Sequence, residues 1–279
     1  MAWLYLLRIH QWPKNLFVLG GLLFGARWLD SVARAAALET LALFCLASSL
    51  VYLWNDLHDL EADKRHPLKR QRPLPSGRIS IRAAQAALVL GLVVLALWLG
   101  LERPAASLHV VLYLLLNLGY SLGLKHVPVL DLLLITAGFV LRVLAGTQAV
   151  NVPTSSWILL CSGALAFFLA VAKRRLDSPD HAESLEPTFR GYRPALLEQL
   201  LSMSAGWTVL FYGLYCSELN QQQVGRQNFL LTLPFVLFGV LHYLRRVHDL
   251  KGSGRGLLLD APLAATVAGW GLTCWILLR

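Results

Sequence analysis

The chain has 279 residues, 56% of them hydrophobic and only 15% charged, with a formal net charge of +9 and a mean hydropathy of +0.56. Soluble domains carry nearer a quarter charged residues, so this composition excludes an ordinary soluble enzyme and predicts an all-α polytopic membrane protein. No nucleic-acid-binding motif accompanies the positive charge, so no nucleic-acid partner is expected; the basic residues instead follow a membrane topology.

Apolar runs near twenty residues, the length a helix needs to cross about 30 Å of hydrocarbon, predict nine transmembrane helices. They fall at 13–30, 35–54, 83–101, 105–124, 127–149, 154–172, 195–216, 228–247 and 259–278. With the N-terminus cytoplasmic, 19 Lys and Arg lie on the cytoplasmic side and 5 on the other, leaving Arg142 within a span. That bias is the positive-inside signature. It predicts one domain over residues 1–279 with cytoplasmic loops at about 55–82, 173–194 and 245–258. The first apolar run lacks the short core and small-residue cleavage site of a secretory signal peptide. Cys45, Cys161, Cys216 and Cys274 all fall in apolar spans without metal-ligand spacing, and read as inert thiols.

The second span ends in the most informative stretch of the chain. Asp56, Asp59 and Asp63 stand at i, i+3 and i+7, which on a continuous helix places three carboxylates within an arc of about 60° and along about 10 Å. Ser49 and Tyr52 continue that stripe inward, while Glu61 falls off it. Aligned carboxylates repel one another unless a cation lies between them. Hard oxygen ligands select Mg²⁺ or Mn²⁺, which complete their shells with water and phosphate oxygens. The stripe therefore predicts a metal-bound diphosphate, against the plainer reading of a solvated acidic helix end.

The loop that follows, His66-Pro-Leu-Lys-Arg-Gln-Arg-Pro-Leu-Pro-Ser-Gly77, has three prolines and a glycine that forbid a continuous helix. Lys69, Arg70 and Arg72 on such a loop can fold back over the aspartates and contact phosphate oxygens. Span 4 carries Tyr113, Asn117, Tyr120 and Ser121 on one face and ends at Lys125. In span 5, Asp131, Gly138 and Arg142 share a face. An arginine deep in an apolar span must find a partner or a polar cavity, so Arg142 is either half of a structural ion pair or a contact to an anionic substrate. After span 6, Lys173, Arg174 and Arg175 are phosphate-contact candidates on the same membrane side as the aspartates. The basic residues of the last cytoplasmic loop, including Arg245 and Arg246, read as topology.

With these residues in view, the chain resembles the UbiA-type intramembrane prenyltransferase superfamily. Asn55, Asp56, Asp59 and Asp63 match the superfamily's Asn-Asp-x-x-Asp-x-x-x-Asp motif in full. Within it, the chain is most similar to the decaprenyl-phosphate phosphoribosyltransferase branch. That likeness is carried by Arg-Ile-His-Gln-Trp-Pro-Lys-Asn at 8–15, the 66–77 loop, Tyr-Ser-Leu-Gly-Leu-Lys at 120–125, residues 138–146 around Arg142, Lys173-Arg174, Arg190-Gly191-Tyr192 and the Leu-Leu-Asp-Ala-Pro-Leu run at 258–263. The resemblance implies a nine-helix bundle in the bacterial inner membrane, compatible with a homo-oligomer. It implies Mg²⁺-dependent transfer of 5-phosphoribose from phosphoribosyl diphosphate to a polyprenyl phosphate. Asp56, Asp59 and Asp63 would hold the metal and the leaving diphosphate. Lys14, Asn15, Asn55, Lys69, Arg70, Arg72, Tyr120, Lys125, Asp131, Arg142, Lys173, Arg174 and Tyr192 would bind substrate. The alternative within the superfamily moves a prenyl group from a prenyl diphosphate to an aromatic or quinone-precursor acceptor. One departure favours the first reading: the second aspartate-rich motif of many members is reduced here to Asp177 and Asp180, interrupted by Pro179, behind three basic residues. A transporter using Arg142 and the acidic stripe is the reading from another class, weakened by the absence of paired interrupted spans.

Overall fold

Asp30 begins the longest helix of the N-terminal region by accepting hydrogen bonds from the backbone N–H groups of Val32 and Ala33, at 2.9 and 3.2 Å, which satisfies donors that a helix start leaves orphaned. The computed structural model describes residues 1–25, 27–101, 104–177, 192–222, 228–249 and 260–277, and among these every regular element is helical. In chain order the α-helices are α1 (Ala2–Leu6), α2 (Gly20–Phe24), α3 (Ser31–His58), α4 (Leu60–Arg65), α5 (Ile81–Leu101), α6 (Ser107–Leu122), α7 (Leu130–Ala149), α8 (Ser156–Asp177), α9 (Pro194–Gln222), α10 (Leu233–Asp249) and α11 (Ala261–Leu277). Short 3₁₀ segments lie between several of them, the longest being Ile9–Leu19.

The described residues fall into two compact units. The first comprises Met1–Gly123 and Leu141–Thr154. Its core is built on α3, whose residues Leu43, Phe44, Ala47 and Leu50 recur at helical spacing and are buried with Leu6, Val18, Leu95 and Val110. The second comprises Leu124–Val140 and Ser155–Arg279. Its core gathers Leu132, Phe168, Val171, Leu197, Leu201 and Val247, with α8 and α9 packed along each other. Helix α7 supplies its residues from 141 onward to the first unit and the earlier ones to the second.

Among the described residues, five helical stretches are long and apolar enough to cross a membrane: α3, α5, α7, α8 and the run Phe229–Asp249. Helices α6 and α11 are apolar but shorter, and α9 has the length, but Ser202, Ser204, Thr208, Tyr212 and Tyr215 dilute it. Helix α5 shows what the outer surface is made of. It buries Ala84, Leu88 and Leu95 while exposing Val89, Leu90, Val93, Val94 and Leu97. A helix apolar on its exposed side is stable only where lipid is the solvent.

Two elements depart from the sequence reading. The span predicted at 13–30 is a broken entry, the 3₁₀ segment Ile9–Leu19 followed by α2, because Pro13 sits inside the first and Gly20 and Gly21 at the second. Glycine here also serves packing: a Cβ on Gly21 would lie 2.7 Å from the Thr147 Cα, and one on Gly146 would strike the Val18 carbonyl. Small residues allow such close backbone approach between helices in membranes. The second departure is a break in the acidic helix, described with the site.

Candidate active site

Helix α3 buries polar residues from its middle to its C-terminal turn. Thr40, Ser48, Ser49 and Asp56 are all buried, and each has a hydrogen-bond partner. Thr40 donates to the Ala36 carbonyl at 2.8 Å. Ser49 donates to the Leu7 carbonyl at 2.8 Å and accepts from Trp12 Nε1 at 3.1 Å. These bonds tie the N-terminal segment against α3. They bring Arg8, whose backbone is left-handed at φ 51°, over the Tyr52 ring at 4.6 Å. From there Arg8 Nη2 reaches Asp56 Oδ1 at 2.6 Å.

The helix does not continue through all three aspartates. It ends at His58, and Asp59, at φ −88° and ψ 8°, is the hinge between α3 and α4. Asp56 and Asp63 nevertheless come together, each only 3% exposed. Arg72 Nη1 lies 2.7 Å from Asp63 Oδ2 and 3.5 Å from Asp56 Oδ1. The loop presents Arg72 because it is pinned on both sides. His66 Nδ1 accepts from the N–H groups of Leu68 and Lys69 at 3.2 and 3.3 Å, and Leu74 and Ile79 are buried in the core of this unit. The loop thus brings Arg72 back over Asp56 and Asp63.

One cationic atom within reach of two buried carboxylates marks a place where a cation is stable. Two carboxylates, with remaining positions left to water and phosphate oxygens, form a donor set suited to Mg²⁺. Among the described residues no three His, Cys, Asp or Glu side chains form a closed metal-binding group; Asp56 and Asp63 are the two carboxylates that share Arg72. Asn55 is held beside it by Ser121, which donates to its side-chain oxygen. Deeper in the same unit, Arg142 is buried and donates to Asn15 Oδ1 at 2.8 Å and to the Tyr113 hydroxyl at 3.0 Å. It also stacks over the rings of Tyr113 and Phe44 at 4.6 and 5.7 Å. Asn15 in turn donates to Ser48 Oγ at 3.1 Å. Asn15 thus orients Arg142, and α3 orients Asn15.

The second unit holds a separate network. Asp131 is fully buried, and both Arg174 and the Tyr192 hydroxyl donate to it; Tyr192 also accepts from the Val129 N–H at 2.6 Å. Burial, and then the hydrogen bond to the carboxylate, push the Tyr192 phenol well above its usual range, which keeps it a proton donor. Arg175 pairs with Glu198 at 2.6 Å. Asp260 accepts from the Leu263 N–H at 3.1 Å and lies 2.9 Å from Arg246 Nε.

Of the predicted site residues, the structure therefore gathers Asn55, Asp56, Asp63 and Arg72 in the first unit, with Asn15 and Arg142 in a network of their own. Asp131, Arg174 and Tyr192 engage one another in the second. Lys14, Arg70 and Lys173 are exposed, while Lys69, Tyr120 and Lys125 are half-buried. Asp180, Arg190 and Gly191, together with much of the 173–194 and 245–258 loops, lie outside the described residues. Arg8 had no assigned role from sequence. Its partner is 48 positions away, and no local pattern announces that contact.

A model of the UbiA prenyltransferase family matches residues 15–256. The chain is 32% identical to decaprenyl-phosphate phosphoribosyltransferase of Corynebacterium glutamicum, over 95% of this chain and 82% of that protein. It is 33% identical to the protein of the same name from Mycobacterium tuberculosis H37Rv, over 97% and 90%. Among solved structures, a UbiA homolog from Archaeoglobus fulgidus bound to DMAPP and Mg²⁺ superposes with a TM-score of 0.74, at 18% identity, over 100% of this chain and 99% of that one.

Proposed function

The chain belongs to the UbiA prenyltransferase family, and we infer that it is a membrane phosphoribosyltransferase. The reaction moves 5-phosphoribose from phosphoribosyl diphosphate to a polyprenyl phosphate and releases diphosphate. The observation that carries this reading is the convergence of Asp56 and Asp63 on one cationic position at the end of α3, in a chain about one-third identical to named phosphoribosyltransferases.

Asp56 and Asp63 are the residues that would hold Mg²⁺, or Mn²⁺ in its place, with Asp59 at the hinge that brings them together. Bound there, the metal supplies charge neutralisation for the leaving diphosphate. Arg8 holds one Asp56 oxygen and fixes the carboxylate's orientation. Arg72, with Lys69 and Arg70 on the same loop, offers guanidinium and ammonium groups to phosphate oxygens. The acceptor is already a phosphate anion, so no residue need act as general base. This suits a site built from Asp and Arg without an Asp–His pair. Lys14, Asn55, Tyr120, Lys125, Lys173 and Arg174 remain candidates for the donor 5-phosphate and the lipid phosphate; the Asp131–Arg174–Tyr192 network supports the positioning of α8. The family match running from 15 to 256 supports one catalytic domain, and the charge bias supports nine spans, a cytoplasmic N-terminus and a cytoplasmic active site in a bacterial inner membrane.

The test is to incubate the purified protein with Mg²⁺, phosphoribosyl diphosphate and a polyprenyl phosphate. Phosphoribosylated lipid is expected, with Asp56→Asn and Asp63→Asn each slower by about 100-fold or more, the scale of losing one preorganised electrostatic contact. Prenylation of an aromatic acid from a prenyl diphosphate, with no phosphoribosylated lipid, would overturn the reading.

A further inference from the structure

We propose that Arg72 is a displaceable counter-ion that holds the cation position of the acidic pair, so that divalent metal and diphosphate bind as a coupled pair instead of independently. The inference rests on the metal–diphosphate reading of this site. Its first support is position: Arg72 Nη1 lies between Asp63 Oδ2 and Asp56 Oδ1, at 2.7 and 3.5 Å, where a cation shared by the two carboxylates would sit. Its second support is the contrast between the two arginines. The Arg8 side chain is 22% exposed and stacked on Tyr52, which anchors it. The Arg72 side chain is 33% exposed, with no ring stacked on it among the described residues. Arg72 is the one that can leave.

The loop favours a side-chain exchange over a backbone rearrangement. Arg72 is followed by buried Pro73 and Leu74, and its own N–H donates to the Lys69 carbonyl at 2.9 Å. Arg8 balances one of the two buried carboxylates; leaving the second without a counter-charge is costly, so the pair keeps Arg72 until a metal replaces it. Metal alone must drive the guanidinium into solvent. Diphosphate alone approaches two carboxylates. Arriving together, the metal takes the carboxylates and Arg72 transfers its planar donor fork to phosphate oxygens, a geometry that guanidinium matches well. Each ligand then tightens the other, and by linkage the factor is the same in both directions.

The experiment measures Mn²⁺ binding to the full-length protein in detergent by the electron paramagnetic resonance signal of free Mn²⁺, with and without inorganic diphosphate, correcting for their complex in solution. For the native protein, diphosphate should tighten Mn²⁺ binding about fivefold or more beyond that correction. Arg72→Gln should bind Mn²⁺ alone about fivefold or more tightly than the native protein and lose most of the coupling. Arg72→Lys, which keeps a charge at the site, should retain weak binding of metal alone, which separates counter-ion action from a structural defect common to both variants. Equal or weaker Mn²⁺ binding by Arg72→Gln in the absence of diphosphate would overturn the inference while leaving the metal site standing. No Mn²⁺ binding by any form, even with diphosphate, would remove the metal site and the inference together.

Discussion

Arg142 shows how a charge is made tolerable inside a membrane protein. Its guanidinium has an amide oxygen from Asn15, a hydroxyl from Tyr113 and two aromatic faces, so partial charges and ring quadrupoles support it. The two partners of this network are not equivalent. Asn15→Ala leaves the buried cation short of an acceptor, whereas Arg142→Met removes the charge and keeps much of the volume. Asn15→Ala should therefore lower the unfolding temperature in detergent more than Arg142→Met, with a loss of about 1.5–3 kcal/mol for a hydrogen bond to a charged group. A larger loss for Arg142→Met would mean that the guanidinium stabilises the fold in its own right. At this scale the sequence was informative about residue type but silent about pairing. Arg142 was legible as a residue that must have a partner; that Asn15 and Tyr113 provide contacts from distant positions was not. Arg8 was the harder case, because an arginine near a chain start has many plain explanations.

At the scale of elements, the break at Asp59 and the broken entry at 9–24 do the most to shape the site. A straight helix through residue 63 would have spread the three carboxylates along its axis. The one-residue break at Asp59 instead re-aims α4, and Asp63 and Asp56 share Arg72. The entry is governed by glycine packing, which gives a contrast between neighbours. Gly146→Val places side-chain atoms against the Val18 carbonyl, while Gly20→Ala meets nothing within 4 Å. Gly146→Val should cost about 1–3 kcal/mol, the usual price of overpacking, and Gly20→Ala should leave the detergent melting temperature nearly unchanged. Equal melting temperatures for the two would mean that this close approach is not maintained in the membrane. Helix periodicity could locate α3, α5, α7 and α8, since each has a long apolar run. It could not locate the hinge, because Asp59-Leu60-Glu61 contains neither Pro nor Gly and the break is stabilised by where Leu60 and Asp63 are buried.

At the scale of the whole molecule, the proposed topology rests on the distribution of charge. If the 55–82 loop faces the cytoplasm, a cysteine introduced by Ser76→Cys should react with a membrane-impermeant maleimide in inside-out vesicles and stay unlabelled in intact cells with a permeabilised outer membrane. Labelling in intact cells would reverse the orientation. Cys45, Cys216 and Cys274 are buried and should give a low background. Composition and the apolar runs determined that the chain is a helical membrane protein, because the bilayer demands runs of fixed length and charges sorted by side. The aspartate spacing and the basic loop pointed to metal and phosphate chemistry at one end, because those ligand types have few other uses in that density. Only the tertiary structure decided which carboxylates share a cation, that Arg72 stands between them, and that Arg8 holds Asp56 from 48 positions away. Those facts depend on contacts between distant segments, set by burial and backbone hinges, and no period in a linear pattern encodes them.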